Sequence, residues 1–145
     1  MDATRNLLSL HPPGAAPALG CCALLLALAL GGCGWLRPEG VRFVTPDEVA
    51  AWATSPDAPL ILDARSPEEY AEGHVPGAIN VPFRQIGGRA GELEAGRTRG
   101  IVTYCEHGPR SLLAQRALAQ AGFTHLAQLE GDMAGWRKSG RPIAR

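Results

Sequence analysis

Short apolar runs alternate with helix-start signals over the whole chain after residue 40, and this alternation limits the possible folds more than any other feature. The apolar runs occupy residues 41–44, 60–62, 78–81, 100–104 and 126–129. Runs of this length are typical of short buried strands. Strands that alternate with helices pair in parallel through right-handed crossovers. The sequence therefore predicts an α/β fold with an open parallel sheet of five strands.

Two of the intervening helices begin with the same capping signature. In Thr45-Pro46-Asp47-Glu48 a hydroxyl residue caps the helix, proline takes the first helical position and glutamate follows three residues after the cap. Ser66-Pro67-Glu68-Glu69 repeats this arrangement. The clearest helical periodicity covers residues 110–121. We also expect a loose helix around residues 91–95, a short helix around residues 133–137 and a loose tail.

An apolar segment without a charge precedes this region, at residues 18–36. Its densest part, residues 23–30, is shorter than a membrane-spanning helix and fits the core of a signal peptide. This part ends in Leu30-Gly31-Gly32-Cys33, which resembles the lipobox of bacterial lipoproteins, where the lipidated cysteine becomes the new N-terminus. The alternatives are an uncleaved anchor, an ordinary signal peptide and a core helix. A core helix is disfavoured because the segment has no polar face.

We therefore divide the chain into a signal peptide or membrane anchor, residues 1–36, and a folded domain, residues 37–145. The domain is expected to be periplasmic or otherwise extracytoplasmic. On the lipoprotein interpretation, Cys33 carries the lipid and the membrane holds the protein through this N-terminal anchor.

Cysteine placement and charge exclude several classes of site. Of the four cysteines, only Cys105 lies beyond the apolar segment. The domain therefore has neither an internal disulfide nor a thiolate cluster for a metal, and the four histidines are scattered. Nothing in the sequence indicates a cofactor. The 14 basic and 14 acidic residues balance, which disfavours nucleic-acid binding because phosphate recognition normally needs a basic excess.

The strongest candidate for a reactive group is Cys105. It directly follows a predicted strand, and the loop Glu106-His107-Gly108-Pro109 leads straight into a helix. Ligands of open parallel sheets bind at the carboxyl ends of strands. A curled loop there would turn backbone N–H groups toward the sulfur and stabilise a thiolate or a persulfide. The alternative is a buried, inert cysteine.

Three motifs, in order over residues 41–143, resemble the signatures of single-domain rhodanese-type sulfurtransferases. The first runs from Asp63 to Tyr70 with Gly73 to Pro82, the second from Tyr104 to Ser111, and the third from Leu129 to Trp136. The resemblance implies a five-stranded parallel sheet with helices on both faces. It also implies that Cys105 takes a sulfane sulfur from a small donor such as thiosulfate or a persulfide, and passes it to a thiol or to cyanide.

The resemblance defines a candidate site around Cys105. Its expected binding residues are Glu106, His107, Gly108, Pro109, Arg110, Ser111, Asp63 and Arg65. We expect Asp63 and Arg65 to organise the loop by an ion pair and hydrogen bonds. Arg110 either meets an anionic donor in the mouth of the site or bonds Glu106 or Asp63.

Three residues outside the loop and one within it have expected roles or depart from the signatures. His74 is expected to be structural and bonded to the backbone, and Trp136 to lie in the core or the pocket wall. Asp132 replaces the second glycine of the third signature. Glu106 stands where members of the family that use thiosulfate well often carry a basic residue. A carboxylate facing the mouth would repel a dianionic donor, which disfavours thiosulfate.

Two other function classes are alternatives to sulfur transfer. Dual-specificity phosphatases of the cell-cycle type and arsenate reductases place five residues between their cysteine and arginine, whereas four separate Cys105 from Arg110. The smaller loop suits sulfur better than a tetrahedral oxyanion. The second class is a non-enzymatic redox or partner-binding module, against which the retained cysteine argues. The sequence does not indicate an oligomeric state.

Overall fold

The computed structural model describes residues 41–52 and 55–145. The predicted lipobox at Cys33 and the predicted boundary after residue 36 lie outside these residues. The elements, in chain order, are β1 (Arg42–Val44), α1 (Pro46–Trp52), β2 (Leu60–Asp63), α2 (Pro67–Glu72), β3 (Ile79–Asn80), α3 (Ile86–Arg89), a 3₁₀ helix (Ala90–Leu93), α4 (Gly96–Arg99), β4 (Ile101–Tyr104), α5 (Pro109–Gln120), β5 (Leu126–Leu129) and α6 (Asp132–Lys138). Within the described part of the chain, no helix is long and apolar enough to span a membrane.

The five strands form one parallel sheet in the order β1-β5-β4-β2-β3, which confirms the predicted fold class. Strand β4 lies at the centre, and all four of its residues are buried. Its neighbour β2 is in register with it, so that Asp63 pairs with Tyr104. Because parallel strands end at the same edge of the sheet, this register brings Asp63 close to the residue after β4, which is Cys105.

Helices cover both faces of the sheet, as predicted, and each face has its own apolar core. Side chains alternate along a strand. Accordingly, Val102 and Tyr104 belong to one core and Ile101 and Cys105 to the other. Helices α1 and α6 cover the first core with Val49, Met133 and Trp136, whereas α3 and α5 cover the second with Ile86, Ala114 and Leu118.

The two capping signatures form as predicted. The Glu69 backbone N–H donates to Ser66 Oγ at 3.2 Å, and the Ser66 N–H donates to the Glu69 carboxylate at 3.1 Å. Thr45 and Glu48 make the equivalent pair of bonds at 3.2 and 2.8 Å. A cap of this kind contributes about 1 kcal/mol to stability. Ser66 lies three residues after the end of β2, so its cap starts α2 close to the carboxyl end of that strand.

Two regions differ from the predictions. Residues 84–99 contain three short helices instead of one loose helix around residues 91–95. Glycines weaken continuous helix in this region, while the buried side chains of Ile86 and Leu93 hold its turns against the core. The tail is also tied down, because Ala144 and His74 exchange backbone hydrogen bonds of 3.0 Å in an antiparallel bridge.

Candidate active site

Cys105 lies immediately beyond the carboxyl end of β4 and is only 1% exposed. The backbone N–H of Gly108 donates to its Sγ at 3.0 Å. Gly108 has a φ of +109°, a conformation that strongly favours glycine, and Pro109 then starts α5. The loop therefore curls around the sulfur as the sequence predicts, and the aimed N–H favours a negative charge on that atom.

The first turn of α6 supports this loop from below. The Met133 N–H donates to the Cys105 carbonyl at 2.9 Å, and the Ala134 N–H donates to the Glu106 carbonyl at 3.3 Å. The Cys105 N–H in turn donates to Asp132 Oδ1 at 2.8 Å. In the sequence, Asp132 is recognisable only as a departure from a signature, and the predicted site does not include it. An acidic residue at a glycine position just after a strand was the signal that could have found it.

Asp63 and Arg65 form the predicted ion pair, and both side chains are fully buried. The Arg65 Nε and Nη2 donate to Asp63 at 3.0 and 2.6 Å, and Nη2 also donates to the Gly73 carbonyl at 2.8 Å. The Nη1 group reaches Glu106 Oε2 at 3.3 Å. Arg65 thus connects the carboxyl end of β2 to the Cys105 loop rather than lying free in the mouth.

Glu106 does not present an unpaired carboxylate to the mouth of the site. Its side chain is 23% exposed, and it is held between Arg65 and Arg137 of α6. The predicted repulsion of a dianionic donor therefore loses most of its basis, because two guanidinium groups neutralise this carboxylate.

Arg110 bonds neither of its expected partners, Glu106 and Asp63. Its Nη1 and Nη2 donate to the two oxygens of Glu69 at 2.5 and 2.7 Å. This hydrogen bonding lowers the pKa of Glu69 to about 2. Arg110 nevertheless stays close enough to interact electrostatically with the Cys105 thiol. Glu69 was predicted only as a capping residue, and its second role needed the tertiary contact.

The other predicted loop residues divide between surface and interior. His107 and Pro109 are exposed. Ser111 is buried, and its hydroxyl proton is shared between the Gly108 carbonyl at 2.7 Å and, more weakly, Asp132 Oδ1 at 3.2 Å. Ser111 therefore supports the loop from inside instead of lining the mouth.

The two residues expected to be structural lie as predicted. The His74 Nδ1 is 2.9 Å from the Tyr70 carbonyl, and its ring stacks on the Tyr70 ring with centroids 3.7 Å apart. Trp136 is buried in the first core, and its indole N–H donates to the Pro142 carbonyl at 2.9 Å.

A cavity of about 340 Å³ opens at the amino ends of the strands, around the starts of β1, β4 and β5. Arg42, Arg99 and His125 line it together with apolar residues. It lies at the opposite ends of the strands from Cys105 and takes no part in the site. Within residues 41–52 and 55–145, no group of three or more His, Cys, Asp or Glu side chains is placed to hold a metal ion.

Comparison with known proteins points to one family. The family model described as "Rhodanese-like domain" matches residues 45–139. The chain is 37% identical over 91 residues to "Thiosulfate sulfurtransferase 16, chloroplastic" of Arabidopsis thaliana, a match that covers 56% of this chain and 76% of that protein. It is 36% identical over 84 residues to a "Sulfurtransferase" of Allochromatium vinosum, covering 58% and 77%. A solved rhodanese-related protein from Thermoplasma volcanium superimposes with a TM-score of 0.61 at 27% identity, over 71% of this chain and 97% of that one.

Proposed function

The chain belongs to the family of rhodanese-like domains, and from this premise we propose that it is a sulfurtransferase in which Cys105 carries the sulfur as a persulfide. Relatives that are themselves sulfurtransferases support sulfur transfer in general. The observation that supports a persulfide on Cys105 is the hydrogen bond from the Gly108 N–H to Cys105 Sγ, at 3.0 Å. This bond forms within a loop between the central strand and a helix. This geometry suits a sulfur atom that bears negative charge.

The first half-reaction loads the cysteine. The Cys105 thiolate attacks the sulfane sulfur of the donor, forming a new S–S bond while the donor's S–S bond breaks. The leaving group keeps the bonding electron pair, so thiosulfate releases sulfite and a persulfide donor releases a thiolate. Cys105 is then a persulfide whose outer sulfur carries the negative charge.

The second half-reaction returns the enzyme to its starting state. A thiolate or cyanide attacks the outer sulfur, and the Cys105 S–S bond breaks with its electron pair returning to Sγ. The acceptor leaves as a persulfide or as thiocyanate, and no external oxidant or reductant is consumed. Because Cys105 is the single cysteine of residues 37–145, the sulfur passes directly to an outside acceptor with ping-pong kinetics.

The charges around the loop bear on the choice of donor. Three guanidinium groups near the site pair with three carboxylates: Arg65 with Asp63 and Glu106, Arg137 with Glu106, and Arg110 with Glu69. This balance leaves little net positive charge to attract a dianion. We therefore favour a persulfide as the physiological donor over thiosulfate, which remains a usable test substrate.

We also propose that the domain works outside the cytoplasm, tethered through a lipid on Cys33. The support is the sequence Leu30-Gly31-Gly32-Cys33 after an apolar stretch of signal-peptide length. On this proposal the membrane is a partner through the N-terminal segment alone.

Sulfur transfer is tested with thiosulfate and cyanide, by measuring both sulfite and thiocyanate. Intact-protein mass spectrometry after thiosulfate alone should show one added sulfur atom, and cyanide should remove it. Cys105→Ser, a nearly isosteric change, should abolish both signals and retain the wild-type circular dichroism spectrum. Wild-type transfer by this variant would refute the mechanism. A wild-type protein whose cysteine oxidises but never gains or passes on sulfur would instead be a redox module.

A further inference from the structure

A buried carboxyl group lies directly beneath the Cys105 loop. Asp132 is 5% exposed, and its Oδ1 accepts hydrogen bonds from the Cys105 N–H at 2.8 Å and the Ser111 hydroxyl at 3.2 Å. Its Oδ2 accepts from Gln128 Nε2 at 3.1 Å. A Cβ atom placed on Gly108 would come within 3.4 Å of the same Oδ2, which locates the carboxyl group under the turn that holds the sulfur.

The backbone conformation at this position disfavours residues that carry a Cβ atom. Asp132 has a φ of +54°, and it is the one residue other than glycine in the described part of the chain with a positive φ. Glycine would adopt this conformation without the steric cost that a Cβ atom brings. Three hydrogen bonds from β5, the Cys105 loop and α5 offset that cost. An aspartate here is therefore explained by what its carboxyl group does.

The carboxyl group also shares a poorly solvated space with the reactive sulfur. In residues 41–52 and 55–145, no arginine, lysine or histidine forms an ion pair with Asp132. Burial raises the pKa of Asp132, and hydrogen bonds from the Cys105 backbone, Gln128, Ser111 and the Cys105 thiol oppose this rise. A charged Asp132 and a charged Cys105 sulfur would repel one another, since both charges are negative and close.

The other charged groups around the sulfur come from several elements. Those next to the loop are Asp63 and Arg65 at β2, Glu69 on α2, Glu106 in the loop, Arg110 on α5 and Arg137 on α6. They are paired among themselves. Among the described residues, Asp132 is therefore the carboxyl group at this site that has no cation paired with it.

We propose that Asp132 is a positioning residue for sulfur transfer: it holds the Cys105 main chain so that the sulfur stays on the Gly108 N–H, and its negative charge opposes ionisation of that sulfur. The first effect sets the geometry of the reacting atom. The second makes the reactivity of Cys105 depend on the charge of the Asp132 carboxylate. The inference rests on the proposed function for its catalytic consequence, whereas its effect on the thiol can be measured without any sulfur transfer.

Two substitutions separate the two effects. Asp132→Asn removes the charge but keeps an oxygen to accept the Cys105 N–H. Its new amide group can donate to Gln128 Oε1, a buried atom without a hydrogen-bond partner among the described residues, once the Gln128 amide turns. Asp132→Gly removes the acceptor altogether. The backbone strain that it relieves offsets part of the lost hydrogen bonding, and its circular dichroism spectrum is compared with wild type to check that it is folded. Glu130→Gln is the matched control, because it removes one negative charge from an exposed side chain two residues away.

The first measurement is the rate of Cys105 alkylation by iodoacetamide as a function of pH. Asp132→Asn should shift the profile to lower pH and raise the rate at pH 7 by about three- to tenfold, the effect of removing a nearby like charge. Glu130→Gln should leave the profile in place. The second measurement is sulfur transfer. Asp132→Gly should lower kcat by about tenfold or more with a smaller change in KM, because misplacing the reacting atom acts on the chemical step. The kcat of Asp132→Asn should stay much closer to the wild-type value than that of Asp132→Gly.

Either of two results overturns the proposal: an alkylation profile of Asp132→Asn identical to wild type, or a kcat of Asp132→Gly identical to wild type together with unchanged hydrogen exchange at the Cys105 amide. Should the wild type transfer no sulfur, the proposed function fails. The alkylation profile and the amide exchange then still decide whether Asp132 positions Cys105.

Discussion

Arg65 Nη1 and Glu106 Oε2 lie 3.3 Å apart, although 41 residues separate them in the sequence. The contact joins the carboxyl end of β2 to the loop that holds Cys105. Arg65 is fully buried and also binds Asp63, so one guanidinium group ties the sheet edge and the reactive loop together. Removal of that group should therefore affect stability and loop order at once.

Arg65→Met should lower the free energy of unfolding by about 3–5 kcal/mol, because it leaves Asp63 buried without a counter-ion. The double variant Arg65→Met with Asp63→Asn should recover part of the loss, since the uncompensated charge is then gone. Urea unfolding measures both. Arg116→Met, at an exposed position on α5, is the control and should change stability by no more than about 0.5 kcal/mol. Equal stabilities of the single and double variants would contradict the ion-pair explanation.

Glu106→Gln should lower the apparent KM for thiosulfate by about two- to fivefold at low salt, because Arg65 and Arg137 then lose a neutralising carboxylate. Rising ionic strength should shrink the difference, since exposed charges are screened over about 8–10 Å. Glu94→Gln is the control. It removes an exposed charge next to α4, before the amino end of β4, and should leave KM unchanged. A KM for Glu106→Gln that equals the wild-type value at low salt would show that this carboxylate does not influence the donor.

Glu69→Gln should destabilise the protein at neutral pH and progressively less in acid. Hydrogen bonding to Arg110 lowers the pKa of Glu69 from 4.5 to about 2 in the folded state. A depressed folded-state pKa contributes stability that is present above pH 4.5 and is lost as the pH falls toward 2. Because the pair is about one third exposed and partly screened by solvent, the expected difference at pH 7 is about 1 kcal/mol.

Thermal or urea unfolding between pH 7 and pH 2 checks this dependence. Glu68→Gln, on the same helix and exposed, is the matched control and should show a much smaller difference at every pH. A stability gap between wild type and Glu69→Gln that stays constant from pH 7 to pH 2 would rule out the Arg110 contact as its source.

Cys33→Ser should leave an unprocessed, unlipidated precursor in the membrane fraction, because the modified thiol would be missing. Intact-protein mass spectrometry distinguishes this precursor from a mature form that begins at a lipidated Cys33. Cys22→Ser changes a cysteine of the same apolar segment and should be processed as wild type. A wild-type protein of full length without an acyl mass would favour the uncleaved anchor.

Much of the fold was predictable because its signals are local. The five strands follow from short apolar runs, and the starts of α1 and α2 follow from capping boxes whose partners are three residues apart. The position of Cys105 immediately after the fourth strand is equally local, whereas the place of that strand at the centre of the sheet came from the tertiary structure. Residues 84–99 were predicted poorly, because tertiary packing of Ile86 and Leu93, rather than intrinsic helix propensity, decides where their turns form.

The partners of the charged site residues were not predictable in the same way. Arg110 was expected to meet an anionic donor in the mouth or to bond Glu106 or Asp63, and it binds Glu69, from which it is separated by 41 residues. Arg137 reaches Glu106 across 31 residues, and Asp132 reaches the Cys105 N–H across 27. Neither hydrophobic periodicity nor residue spacing predicts these long-range contacts.

The sequence by itself determined which segments become most of the strands and helices, and that one cysteine directly follows the fourth strand, at the carboxyl end where parallel sheets bind ligands. Periodicity, caps and turns act within a few residues, so these features are written in contiguous sequence. Only the tertiary structure decided that Glu106 is neutralised, that Arg110 is held by Glu69 and that Asp132 lies beneath Cys105. Those outcomes depend on how strands far apart in the chain align in register and on which charges burial then forces together.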